Sequence, residues 1–253
     1  MAFYLVQPQT GRGSFATGTK IGGTLDTTGL LPGSYYRAPA DKSVKMPGLI
    51  GALAVRNGTE CSMNTYAVHR AVYHLQETGE FGTLVIDGIL GPNSDTGIRA
   101  YQRRKGLKVD GVIGPKTCKA LFEPLVRKAA QAKPLLHRDL IYRNAMGTMY
   151  VESGFDLGTV GETTPDDIGI AQINGRAHPD MSVNQRFDPK IAISYMVDLI
   201  EKNLIAMKFD EDLSIIAYNL GPTGAYAWNS EGRPEWFRGT NTWKYISDVK
   251  TVI

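Results

Sequence analysis

The chain lacks any run of eighteen apolar residues, and a membrane-spanning helix needs about 20, so no membrane span is expected. Its first residues, Met1-Ala-Phe-Tyr-Leu-Val-Gln-Pro8, carry no basic stretch leading into a long apolar core. No secretory signal is expected from them. There are two cysteines, Cys61 and Cys118, too few for a disulfide framework, and whether they pair stays open. The four histidines, His69, His74, His137 and His178, show no metal-ligand spacing and no H-E-x-x-H pattern. Each reads as a surface or core residue, so no metal and no other cofactor is expected. Acid is scarce between Arg99 and Lys119, where Asp110 stands alone against Arg99, Arg103, Arg104, Lys105, Lys108, Lys116 and Lys119. That patch suits a polyanion, such as an envelope polymer or a nucleic acid, or is a solvated helix face. Net charge is only +3; a nucleic-acid binder stays an option that rests on this patch alone, and no nucleic acid is expected as partner.

What is present falls into three stretches. Residues 1–60 are punctuated by Gly, Thr, Ser and Pro (Gly11-Arg-Gly-Ser14, Gly22-Gly-Thr24, Leu31-Pro-Gly-Ser34, Met46-Pro-Gly48) and have poor periodicity. They read as an irregular N-terminal arm. In residues 61–124 the pattern changes: Val68, Ala71, Val72 and Leu75 recur at helical spacing before Gly79. Then Val85-Ile-Asp87-Gly88-Ile-Leu-Gly91-Pro92 recurs 23 residues later as Lys108-Val-Asp110-Gly111-Val-Ile-Gly114-Pro115. Each copy is an Asp-Gly turn, an aliphatic pair to bury, and a proline suited to a helix's first turn. Two copies of so short a period predict a compact three-helix domain. Residues 124–136 read as a helical extension broken at Pro134, and residues 125–253 form the third stretch.

That third stretch centres on Glu152. Leu140, Ile141, Ala145 and Met149 predict an amphipathic helix over about 138–153, with Glu152 on its apolar face and Gly154 as the stop. Low polarity and the negative end of the helix dipole would favour a protonated carboxyl there, which suits a general acid. Further on, Asp188-Pro189 predicts a capped helix start with Ile191, Tyr195, Met196, Leu199 and Ile200 inward. Leu213–Leu220 predicts another helix, closed by Gly221-Pro222.

Three ordered motifs, Glu152-Ser153-Gly-Phe155, Ile168-Gly-Ile-Ala-Gln172-Ile173-Asn174 and Ala217-Tyr218-Asn219-Leu-Gly221-Pro222, resemble those of the soluble lytic transglycosylase family and its goose-type lysozyme relatives. The resemblance covers about residues 137–253 and includes Thr242-Trp-Lys-Tyr245-Ile-Ser-Asp-Val249, similar to the family's E-T-R-x-Y-V segment. Asn241 stands where that segment has an acid. The paired repeat, over about residues 63–123, is similar to the type 1 peptidoglycan-binding domain, with Cys118 where the family often has Trp. The fold class implied is mainly α: a lysozyme-like catalytic domain, a small three-helix peptidoglycan-binding domain and the arm.

The resemblance implies an enzyme that cleaves the bond between N-acetylmuramic acid and N-acetylglucosamine, with bacterial peptidoglycan as partner. It implies Glu152 as acid then base and Tyr218 as stabiliser of the charged centre. Ser153 would buttress the carboxyl, and Gln172, Ile173 and Asn219 would bind substrate. The product implied is a 1,6-anhydro ring. Glu162, Asp166 and Asp167 leave open a hydrolytic muramidase, in which one of them activates water. A structural virion protein with a vestigial cleft is the third reading. Without a signal, delivery to the host periplasm or cell wall suits a phage-encoded lysin or virion component, with the arm as attachment to other virion proteins.

Overall fold

The structure, a computed structural model, describes residues 36–37, 44–45, 63–77, 79, 89–90, 92–157, 159, 161 and 166–251. Among the described residues are eight α-helices and eight two-residue strands, so the fold is mainly α. Most of the arm, Cys61, the Asp87-Gly88 turn, Gly91 and Glu162 lie outside the described residues. The chain divides into two compact units: Met1–Phe122 with Phe155–Ala192, and Glu123–Gly154 with Ile193–Ile253.

In the first unit, α1 (Met63–Glu77) buries Ala71, Val72 and Leu75, as their spacing predicts. His74 joins them: its ring stacks on Phe122 at 5.6 Å, and burial holds its pKa below the usual histidine value. It is a core residue. The aliphatic pairs of the two repeat copies become equivalent short strands, β3 (Ile89–Leu90) and β4 (Val112–Ile113). Each pairs antiparallel with a piece of the arm, β2 (Val44–Lys45) with β3 and β1 (Tyr36–Arg37) with β4. The repeat prolines open α2 (Pro92–Arg104) and α3 (Pro115–Gln131).

The second Asp-Gly turn is clasped by one buried side chain. Gln102 Oε1 accepts from the N–H groups of Asp110 (3.0 Å) and Gly111 (2.9 Å). Its Nε2 donates to Asp110 Oδ1 (3.0 Å), Val112 O (2.9 Å) and Thr117 Oγ1 (3.2 Å). Gly111 sits at φ 70°, and a Cβ there would meet Asp95 Oδ1 at 2.1 Å, so the turn needs glycine. Burial pulls the Asp110 carboxyl upward, but hydrogen bonds from Val112 N–H and Gln102 with the charge of Lys108 outweigh it, and its pKa lies below the usual value. Arg99 is drawn into the same turn, through Asp95 (2.7 Å) and the carbonyls of Val109 and Asp110. The basic patch therefore loses Arg99 to structure, whereas Arg103, Arg104, Lys105, Lys108, Lys116 and Lys119 are exposed. Cys118 is a free, buried thiol whose pKa burial drives well up.

The second stretch of this unit carries α5 (Val183–Phe187), opened by a Ser182–Gln185 capping box. Asp188 then caps α6 (Pro189–Ala206), accepting from the N–H of Lys190 (3.0 Å) and Ile191 (3.3 Å), while Arg70 closes on its other oxygen at 2.5 Å. The inward face of α6 is the expected one save for its first residue: Met196 and Ile200 are buried and Tyr195 and Leu199 half-buried, but Ile191 is not inward. Ile191 is 40% exposed, and the buried stripe runs through Ala192, Ile193, Met196, Val197, Ile200 and Leu204. Ile191 lies in the first turn, where the cap fixes the helix's rotation, and that rotation turns it to solvent.

In the second unit, α3 ends at Gln131 and Pro134 precedes a single 3-10 turn, Leu135–His137. Helix α4 (Arg138–Ser153) follows, then α7 (Glu211–Ser230), the hairpin β7 (Trp236–Phe237)–β8 (Thr240–Asn241), and α8 (Thr242–Thr251). Helix α7 does not stop at Gly221-Pro222. Gly221 adopts φ 72°, ψ 163°, which breaks the helix, but Pro222 opens a second helical segment at once. A proline suits a first turn as well as it follows a last one. The core is built from Leu213, Ile215, Ile216, Trp228, Phe237, Tyr245, Ile246 and Val249.

Helices α4 and α8 meet backbone to backbone. A Cβ built on Gly147 would lie 1.9 Å from Val249 O and 2.7 Å from Val249 C. Both obstructing atoms are main chain, so only a shift of a whole helix could admit a methyl group. Gly147→Ala is expected to destabilise the protein by about 1–3 kcal/mol, despite alanine's better helix propensity. Thermal unfolding of the variant checks this; an unchanged or raised Tm would show that the helices are not in contact there.

Candidate active site

Glu152 lies in the last turn of α4, half-buried. The helix ends as its sequence demands. Gly154 takes the left-handed conformation, φ 62° and ψ 27°, and its N–H returns to the carbonyls of Met149 and Tyr150. Ser153 Oγ donates to Met149 O at 2.9 Å. The carboxyl of Glu152 projects from this closed end, and Tyr245 Oη donates to its Oε1 in a short hydrogen bond.

Tyr245 is 9% exposed. Burial first, then the charge of Glu152 and the hydrogen bond to it, and last Tyr218, drive its pKa well above the usual tyrosine value. It is therefore a neutral O–H donor at any working pH. The sequence reading gave Tyr245 a place in a motif but no role. The signal was there: Thr242, Tyr245, Ile246 and Val249 follow i, i+3, i+4, i+7, the buried face of α8. A buried tyrosine on such a face needs a partner for its hydroxyl.

Tyr218 and Asn219 end the first segment of α7, just before the Gly221 break. Tyr218 is half-buried and acts electrostatically on the Tyr245 hydroxyl, which brings it into the neighbourhood of Glu152. Asn219 is exposed, and its Oδ1 accepts from Thr240 Oγ1 at 3.3 Å. Asn241, which stands where the resembled segment has an acid, caps α8. Its Oδ1 accepts from the N–H of Lys244 (2.9 Å) at the start of α8, and its Nδ2 donates to Glu235 (3.1 Å). Glu152, Ser153, Tyr218 and Asn219 thus belong to one unit, in which Tyr245 links Glu152 and Tyr218.

Gln172 and Ile173 belong to the other unit. They sit in the β5 (Asp167–Ile168)–β6 (Ile173–Asn174) hairpin. Gln172 adopts φ 46°, and its Nε2 donates to the carbonyls of Thr159 and Gly169, both at 2.9 Å. Ile173 is 2% exposed. Buried Arg186 ties the hairpin together, donating to Asp166 O (2.7 Å) and Ile173 O (3.2 Å). A Cβ on Gly175 would meet its guanidinium at 2.7 Å. The nearby acids are engaged: Asp166 pairs with Arg176 at 2.6 Å, and Asp167 Oδ1 accepts from Asn174 Nδ2 at 2.7 Å.

Among the described residues no three His, Cys, Asp or Glu side chains gather as metal ligands, and no helix is long and apolar enough to cross a membrane. The chemistry available near Glu152 is that of one oriented carboxyl, a neutral phenol donor and a second tyrosine. Such a group can give a proton to a leaving oxygen and take one back.

No curated protein matches the chain. The model of a peptidoglycan binding domain matches residues 67–121, and that of the transglycosylase SLT domain matches residues 130–235. The second match contains Glu152, Gln172 and Tyr218, and the first contains both Asp-Gly turns. The chain thus carries a peptidoglycan-binding domain followed by an SLT transglycosylase domain, and it is a peptidoglycan-degrading enzyme of the lytic transglycosylase type.

Proposed function

We propose that Glu152 is the acid–base residue of this enzyme, acting on the bond from N-acetylmuramic acid to N-acetylglucosamine. The hydrogen bond from buried Tyr245 to Glu152 carries the reading. It supplies an orienting donor that holds the carboxyl and cannot itself ionise in its place. Glu152 protonates the leaving glycosidic oxygen and the C1–O bond breaks. The resulting carboxylate then takes the proton of the muramic 6-hydroxyl as that oxygen bonds to C1. A 1,6-anhydro ring forms and the acid is restored. Tyr218 stabilises the positive centre through its ring and oxygen. Ser153, Gln172 and Asn219 contact the glycan and buried Ile173 supports Gln172 from within, while residues 61–124 keep residues 125–253 on the wall.

The rival, hydrolysis, needs a second carboxylate to activate water. Of the three acids that could do so, Glu162 lies outside the described residues, and Asp166 and Asp167 have partners in Arg176 and Asn174, which favours the intramolecular hydroxyl over those two. The same reading includes a phage setting, with residues 1–60 joining the enzyme to other virion proteins and its action in the host periplasm or cell wall. The chain should then be detected by mass spectrometry in purified particles; its confinement to the lysate would remove the virion part of the proposal.

Glu152→Gln is expected to lower lysis of purified sacculi by about 10²–10⁴-fold with the fold intact by circular dichroism. Tyr245→Phe removes the hydrogen bond that orients the carboxyl, and the net loss of about 1–1.5 kcal/mol should cost roughly 10-fold in turnover. Activity of either variant within a few-fold of the parent would undo its assignment.

Products weighed after borohydride treatment settle the nucleophile. Anhydro ends are lighter by one water than hydrolysed ends and resist reduction. A digest dominated by reducible ends would transfer the function to a muramidase.

A further inference from the structure

We propose that Arg238, at the tip of the β7–β8 hairpin, is a carboxylate-binding site for the peptide stems of the glycan strand. The inference rests on the reading of Glu152 given above, and it adds that the enzyme takes stem-bearing strands in preference to uncharged ones.

Arg238 and Gly239 form the two-residue turn of the hairpin, at φ 49° and 85°. Both are left-handed, the pattern of a turn in which Asn-Gly is the favoured pair. An arginine accepts that backbone at a cost in strain. Its side chain is laid down in a defined place. The guanidinium lies over the Phe237 ring, 5.1 Å from the centroid. A Cβ added at Gly224 would stand 3.8 Å from Arg238 Nη1. The cation therefore lies near Gly224, in the helical segment that Pro222 opens after Tyr218 and Asn219.

Two further contacts tie the hairpin to the helices that carry Tyr218 and Tyr245. Thr240 Oγ1 donates to Asn219. Asn241 caps α8, on which Tyr245 stands four residues later, or about 6 Å along the helix axis. A cation on this hairpin is thus joined by short, ordered connections to the helices that carry Tyr218 and Tyr245.

The charge is also unspent. Arg233 pairs with Asp210 at 2.6 Å, Lys244 with Asp248 at 2.5 Å and Lys250 with Asp212 at 2.5 Å. Arg238 is exposed, and among the described residues it has an aromatic neighbour but no acid. The nearest acid in sequence, Glu235, accepts from Asn241. The sugars of peptidoglycan are N-acetylated and neutral, and in stem-bearing strands the muramic lactyl carboxyl is consumed in the peptide bond. The carboxylates left are those of the stem. A planar guanidinium on a rigid tip matches them in charge and in two-pronged geometry.

The test compares the full-length enzyme with Arg238→Asn, a change that suits the turn's backbone and removes the cation. On native sacculi the variant should show a KM raised about tenfold with kcat within two-fold, and a Tm equal to or above the parent's. On sacculi whose carboxyls have been amidated with carbodiimide and ammonia, the KM values of parent and variant should coincide. Equal KM values on native sacculi would overturn the proposal. So would a gap of the same size on amidated sacculi, which would assign Arg238 to the sugars or the fold. Glu152→Gln, run in parallel, separates the two readings: full lysis by that variant removes the acid–base assignment whatever Arg238 does.

Discussion

The approach of α4 to α8 at Gly147 is the constraint on which the Glu152 region depends. With a hydrogen atom in place of a side chain, the helix backbones touch at Gly147 and Val249. The two helices run past each other from that point, and Glu152 and Tyr245 come together at the end of α4 and near the start of α8. The hydroxyl can then reach a carboxyl on another helix without water between them. Everything around the contact serves to keep α8 in place. Asn241 caps its start, Thr242 Oγ1 donates to Pro234 O at 2.7 Å, and Lys250 near its end pairs with Asp212 at the start of α7.

Polar hubs do for the loops what the glycine contact does for the helices. Each two-residue hairpin is too short to be stable alone, and each is supported by a buried group that gathers carbonyls. Arg186 is such a hub for the β5–β6 hairpin. Its guanidinium is buried deeply enough to lower its pKa, opposed by the fields of Asp166 and Asp167. Its Nε has no hydrogen-bond partner. That is an energetic cost, offset by two carbonyl contacts and the close packing of Gly175 and Gly169.

Much of this was legible in the sequence, because it was local. The span of α4 followed from apolar spacing and Gly154, the start of α6 from Asp188-Pro189, and the repeat's helix starts from Pro92 and Pro115. Glu152 and Tyr218 stood out by motif, and the structure places them in one neighbourhood through Tyr245. What escaped was non-local. No pattern along α4 says that Gly147 is a contact point, since the obstructing carbonyl is some hundred residues away. Tyr245 had the right periodicity, but its partner lies on another helix. Ile191 fits the inward stripe by count, yet the cap on Asp188 sets the rotation that exposes it. Gly221 reads as an ending because a left-handed glycine ends most helices; that Pro222 restarts one depends on Trp228 and Ala225 being buried beyond it.

The Gln102 clasp bears on the setting in which the repeat domain operates. A carboxylate-rich polymer concentrates protons around itself, so the surroundings at the wall are more acidic than the bulk. A latch built on histidine would loosen there. This one is built on a carboxamide, which makes five contacts and has no proton to gain or lose. Its single ionisable member, Asp110, has its pKa lowered in the fold, so its contribution is complete above the free carboxyl's value, about 3.9. That contribution fades only as acidity passes the still lower folded value. The turn can thus keep one shape from neutral medium into the proton cloud of its own ligand.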